Sequence, residues 1–149
     1  MHSTAAAGSR AADPAMHPRI ATALRWLFGL FYFGTGVAIF LYVAFGIGAP
    51  PPQPTPQAAA FTAALSQSHI IDPLLSLAYL VGGAALLFRR TAPLGVLVLA
   101  PVVLVIFCFH LALSGQWIWG SVNLGVLLLL AWQVRSAFVP LWNHPREFA

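Results

Sequence analysis

The sequence predicts an all-α integral membrane protein: a bundle of four transmembrane helices, with a short interfacial helix between the first and second. Three observations lead there. Hydrophobic residues make up 60% of the 149-residue chain and charged residues only 7%, with a mean hydropathy of +0.84, whereas an ordinary soluble domain carries about 25% charged residues. The basic side chains, seven arginines and no lysine, stand at the ends of apolar runs. Finally, the 44 residues from Thr91 to Val134 contain no charge. As one helix they would reach about 66 Å, roughly twice the ~30 Å hydrocarbon core of a bilayer, so they must fold back on themselves.

Residues 1–18 (MHSTAAAGSRAADPAMHP) are small, polar and interrupted by proline, and read as a disordered cytoplasmic tail. Trp26 to Gly48 is apolar and uncharged over 23 residues, longer than the ~7–15 residues of a signal-peptide core, so it reads as a first span over about 24–48. APPPQPTPQ (49–57) cannot continue a helix. Thr55-Pro56 supplies a cap and a first-turn proline for a short helix ending near His69. Phe61 and Leu65 share one of its faces, which suits a helix lying at the membrane surface. The second span covers about 70–88 and ends at Arg89-Arg90. The uncharged stretch then turns at Ser114-Gly115-Gln116, giving spans over about 93–113 and 117–136. A second cytoplasmic tail covers 143–149, so the membrane domain is 19–142.

Orientation follows from the arginines. Arg10, Arg19 and Arg25 precede the first span, Arg89 and Arg90 join the second to the third, and Arg135 and Arg146 follow the fourth. The other two connections carry none. Both termini are therefore expected in the cytoplasm. Tryptophans agree, with Trp26, Trp132 and Trp142 at the inner boundary and Trp117 and Trp119 at the outer, as aromatic belts require. Lipid removes the hydrophobic drive between spans, so helix contacts should use small residues, with candidates at Ala78/Gly82, Ser121/Gly125, Gly29, Gly34 and Gly36. Arginines scattered in this way do not form a nucleic-acid footprint. The partners expected are the lipid bilayer and a second copy of the chain.

Polar groups within spans are costly and turn inward. On the second span, Asp72, Ser76, Tyr79 and Gly83 share a face by their 4-3-4 spacing. On the fourth, Gln116, Asn123 and either Trp119 or Gly120 form another. His110 is the one group between Arg90 and Arg135 that can titrate near neutral pH. Together Asp72, Tyr79, His110 and Asn123 predict a pocket in the outer half of the bundle. Each also has a structural reading: Asp72 with Pro73 as a helix start, His110 bonded to a carbonyl, Tyr79 packed inside, Asn123 bonded across to a neighbouring helix. Cys108, flanked by Phe107 and Phe109, reads as an apolar filler. No metal site is expected: His69 and His110 could in principle be axial ligands from two segments, but His69 lies in a loop and a buried haem needs both at matching depth.

PLGVLVLAPVVLVIFCFHLAL (93–113), followed by a turn and a span ending AWQVRSAFVPLW, resembles the DoxX family of small four-helix bacterial membrane proteins. The resemblance is carried by Phe109-His110-Leu111 with Ala100-Pro101, by the double glycine Gly82-Gly83, and by Gly36. It covers about residues 22–142. The chain departs from the family pattern at Tyr79, where many members have an acidic residue, and at Ile39 and its neighbours, where a basic residue is often found. The resemblance implies a bacterial cytoplasmic (inner) membrane location and association with membrane redox chemistry: an accessory subunit or anchor with a soluble or membrane redox protein as partner, and quinone as the cofactor to be considered at His110. No catalytic residue follows from it. The alternatives are a non-catalytic scaffold that recruits a soluble partner and, behind it, a small-molecule carrier.

Overall fold

The computed structural model describes residues 18–142, all helix and connecting turns with no strand. The two tails, with His2, His17, His144, Arg10 and Arg146, lie outside the described residues. Helix α1 spans Pro18–Phe45, α2 Pro56–Gln67, α3 Ile71–Leu87 and α4 Ala92–Phe109. Helix α4 continues as a π-turn over His110–Ser114, and α5 spans Trp117–Gln133. A 3-10 turn over Arg135–Ala137 leads to the short α6, Val139–Trp142. Helices α1 and α4, the latter extended to Ser114, are each long and apolar enough to cross a membrane. The α2–α3 pair, bent by 93°, adds a third if it is counted as one broken span. Helix α5 is apolar but only 17 residues long, about 25 Å at 1.5 Å per residue.

The chain folds as a sequence of antiparallel neighbours. Helix α1 packs most extensively on α3, α3 on α4 and α4 on α5, and α5 returns to touch α1. Glycine permits the close approaches. The adjacent Gly82 and Gly83, about 100° apart around α3, face α4 and α1 respectively, so one residue pair serves two interfaces. A Cβ on Gly83 would stand 2.5 Å from the Phe33 nitrogen of α1, and one on Gly82 would stand 2.6 Å from Leu99 Cγ of α4. Gly36 sits against Tyr79 and Leu80, Gly95 against Gly82 and Leu86, and Gly120 against His110 and Phe107. Of the candidates read from the sequence, Gly34 and Gly125 have nothing near them.

A narrow core of Phe28, Tyr32, Tyr79, Leu86, Val96, Leu99, Val103, Leu127 and Leu130 runs between the helices. The outer surface is apolar. Only 22% of the most apolar stretch of α1 and 17% of that of α4 is buried. Large apolar side chains are exposed on α1, α3, α4 and α5 alike. An exterior of that kind is an aggregation liability in water and fits a hydrocarbon environment.

Local chemistry sets the element ends. Gly46, at φ 66°, closes α1 as its N–H returns to the Tyr42 carbonyl, a backbone shape that glycine adopts without penalty. Thr55 caps α2: its hydroxyl accepts from Ala58 N–H at 3.1 Å and donates to the Leu113 carbonyl at 2.6 Å. One side chain thus starts α2 and ties it to the π-turn. Phe61 completes that contact, its ring 5.7 Å from Phe109. Helix α2 is therefore docked on the end of α4, where the sequence suggested only a surface position. We expect Thr55→Val to cost about 1–2 kcal/mol, the range for losing an N-cap hydroxyl. Equilibrium unfolding in detergent checks this, with Thr55→Ser close to wild type.

Candidate functional site

The polar residues of the interior sit on buried helix stripes. On α1, Phe28, Tyr32 and Gly36 recur every four residues and are all buried. On α3, Ser76, Tyr79 and Gly83 form the matching stripe, and on α5 Gly120, Asn123, Leu127 and Leu130 form a third. Between Gly120 and Trp119, both open on sequence grounds, the structure places Gly120 inside. Trp119 is exposed.

At the centre, the Tyr32 hydroxyl donates to Asn123 Oδ1 at 3.0 Å, and Asn123 Nδ2 donates to the Trp119 carbonyl at 2.9 Å. The Tyr32 and Tyr79 rings lie 5.1 Å apart between centroids. Ser76 Oγ donates to the Gly36 carbonyl at 2.9 Å. Both ends of the Asn123 amide are thus engaged, and Tyr32 and Ser76 each spend their proton on a neighbouring helix. The Tyr79 hydroxyl has no hydrogen-bond partner among the described residues. Tyr32, the donor that ties α1 to α5, was missed on sequence grounds. Its visible signal was the four-residue spacing of Phe28, Tyr32 and Gly36.

His110 and Asp72 lie apart from this cluster in their bonding. His110 Nδ1 is 2.9 Å from the Ile106 carbonyl of its own helix. A carbonyl only accepts, so Nδ1 carries a proton, and in the neutral ring Nε2 is then the acceptor. His110 also begins the π-turn, a local over-wide turn often found at functional sites. Its Cβ side packs where Gly120 leaves room.

Asp72 forms no hydrogen bond or ion pair among the described residues. It lies in the first turn of α3, half-buried, where a carboxylate is favoured by the helix dipole. It is not the cap. Helix α3 starts at Ile71 without a cap from Ile70, and Ser68 Oγ accepts from the Ile70 and Ile71 N–H groups at 3.4 and 3.3 Å. The same hydroxyl donates to the Leu65 carbonyl at the end of α2. Ser68 serves both helix ends because the chain bends sharply there, with His69 at φ 56°. A carboxylate at 72 arrives one turn late for that task.

Of the four residues expected to share a pocket, Tyr79 and Asn123 both border Tyr32, while His110 is bonded within its own helix and Asp72 makes no bond among the described residues. Two depressions in the described surface lie elsewhere, one lined by Gly115 to Trp119 with Val122, the other by Pro18, Arg19, Thr22, Ala23 and Trp26. Among the described residues no three His, Cys, Asp or Glu side chains gather. Cys108 is exposed on α4 and not a core filler. Compared with known proteins, the chain matches no family model, no characterised protein and no solved structure.

Proposed function

We propose that this chain is a four-span protein of the bacterial inner membrane, with both termini in the cytoplasm, acting as a non-catalytic anchor for a membrane-associated redox system. The single observation that carries the non-catalytic reading is the Tyr32–Asn123–Trp119 chain, with Ser76 bonded to Gly36. The interior polar groups engaged there hold helices together. A site for proton or electron transfer needs donors and acceptors left open for a substrate, and in this cluster only the Tyr79 hydroxyl is left open among the described residues. The apolar exterior supports the membrane assignment, and the four helices packed in a closed series support four spans, α3 gaining length from Ile70 and Phe88 and α5 from Val134. The redox association rests on the DoxX-like residues Phe109-His110-Leu111, Gly82-Gly83 and Gly36.

One observation favours a second reading, in which a quinone species binds at His110. Nε2 makes no hydrogen bond among the described residues. As an acceptor it suits the hydroxyl of a quinol and not the carbonyl of a quinone. Asp72 does not orient the ring, since Nδ1 is committed to Ile106.

The test is the melting temperature of the detergent-purified protein with ubiquinone, menaquinone and ubiquinol analogues, for wild type and His110→Ala. The anchor reading expects no ligand-dependent shift and a modestly less stable variant. A rise in wild type that vanishes in His110→Ala replaces the anchor with a quinol site, because a ligand stabilises only the state it binds.

A further inference from the structure

Among the described residues the formal charges are Arg19, Arg25, Arg89, Arg90, Arg135 and Asp72. The antiparallel packing gathers the five arginines at one end of the helices and leaves Asp72 at the start of α3, about 24 Å away along that helix. Within that basic end the α3–α4 turn is distinctive. The last carbonyls of α3 are taken by other groups: Arg25 Nη1 donates to the Leu86 carbonyl at 2.7 Å, and Thr91 Oγ1 donates to the Ala85 carbonyl at 2.8 Å. Arg89 and Arg90 are therefore not needed to finish the helix. Both are exposed, and neither has a hydrogen bond or ion pair among the described residues.

A second feature points the same way. Thr91 stands at the cap position of α4, but with its hydroxyl turned back to α3 it makes no capping bond, so the first turn of α4 has no side-chain acceptor. A helix start of that kind attracts an anion. Directly along α4 from the turn, Leu94 and Leu97 are more than half exposed. Two guanidinium groups, an uncapped helix start and an apolar strip thus follow one another in the order of a phospholipid's phosphate and acyl chains. Arginine's fork matches phosphate geometry.

We propose that the α3–α4 turn binds the headgroup of an anionic phospholipid, its phosphate held by Arg89 and Arg90 and its chains lying on Leu94 and Leu97. The site rests on the reading that these helices cross a bilayer. A free phosphate shares the headgroup chemistry but makes no use of the leucine strip.

The experiment measures binding of phosphatidylglycerol and phosphatidylcholine to the full chain in detergent micelles by native mass spectrometry. Wild type, Arg89→Gln/Arg90→Gln and Arg89→Lys/Arg90→Lys are compared. The expected result is a preference for phosphatidylglycerol and binding at least about tenfold weaker in the glutamine variant, the effect of losing one charge-assisted bond. The lysine variant is expected to lie between. Equal affinity for the two lipids, an unchanged glutamine variant, or displacement of the lipid by inorganic phosphate at equal concentration would each overturn the site. Insertion into phosphatidylcholine vesicles is scored separately. A chain that inserts without lipid preference loses only this site, whereas one that stays in the aqueous phase loses the membrane reading as well.

Discussion

Gly83→Ala is expected to force α1 away from α3 and to destabilise the protein by about 1–3 kcal/mol or more, the usual cost of overpacking a filled interface. The added methyl would stand 2.5 Å from the Phe33 nitrogen, 2.8 Å from the Gly29 carbonyl oxygen and 2.9 Å from Phe33 Cα. All three are backbone atoms. No rotamer change can relieve the clash, so the helix itself must shift. That shift would also strain the Ser76–Gly36 bond on the same interface. Gly34→Ala is the control, because nothing lies within 4 Å of a Cβ there and alanine is the better helix former by roughly 1 kcal/mol. Unfolding by SDS titration checks both. Equal behaviour of the two variants would mean that α1 and α3 do not approach as described.

Tyr32→Phe is the second large effect, expected to cost about 1–2 kcal/mol because Asn123 keeps its place with its carbonyl oxygen unsatisfied. Interhelical bonds in membranes average only about 0.6 kcal/mol, with a maximum near 1.7. The cost here belongs at the upper end. Asn123 is 5% exposed and Tyr32 1%, and this bond, with the Phe31–Trp119 ring contact at 5.9 Å, ties α1 to α5. Adding Asn123→Leu removes the orphaned acceptor as well, so the double variant should be more stable than the sum of the singles. A double-mutant cycle measures that coupling. A coupling of zero would show that the two side chains do not meet.

Much of the fold is legible in the sequence because membrane helices announce themselves by length and by the absence of charge. The uncharged 44 residues had to turn, and Gly115 at φ 71° makes that turn. Thr55-Pro56 had to start a helix, and the Thr55 hydroxyl caps it. The parts that were not legible depend on which face a residue takes in a helix that is apolar all round. Phe28 and Tyr32 stand beside Phe31 and Phe33, and nothing in composition separates the inward aromatics from the outward ones. Asp72-Pro73 imitated a helix start, but the bend at His69 moved the capping task to Ser68. The π-turn at His110–Ser114 leaves no periodic trace, because it changes the register of backbone bonds and not the order of residue types. For the candidate site, the stripes on α3 and α5 could be read from spacing, whereas the partner that joins them lies on α1, 91 positions from Asn123.

The central claim is that α1, α3, α4 and α5 each cross the membrane, and single-cysteine labelling tests it most directly. In a Cys108→Ala background, Gln67→Cys, Gln116→Cys and Ser136→Cys are treated in intact spheroplasts with a membrane-impermeant maleimide, before and after permeabilisation. The account expects Gln67→Cys and Gln116→Cys to label from outside, and Ser136→Cys only after permeabilisation. Labelling of Ser136→Cys from outside together with Gln116→Cys would mean that α5 does not cross, and would contradict the four-span arrangement.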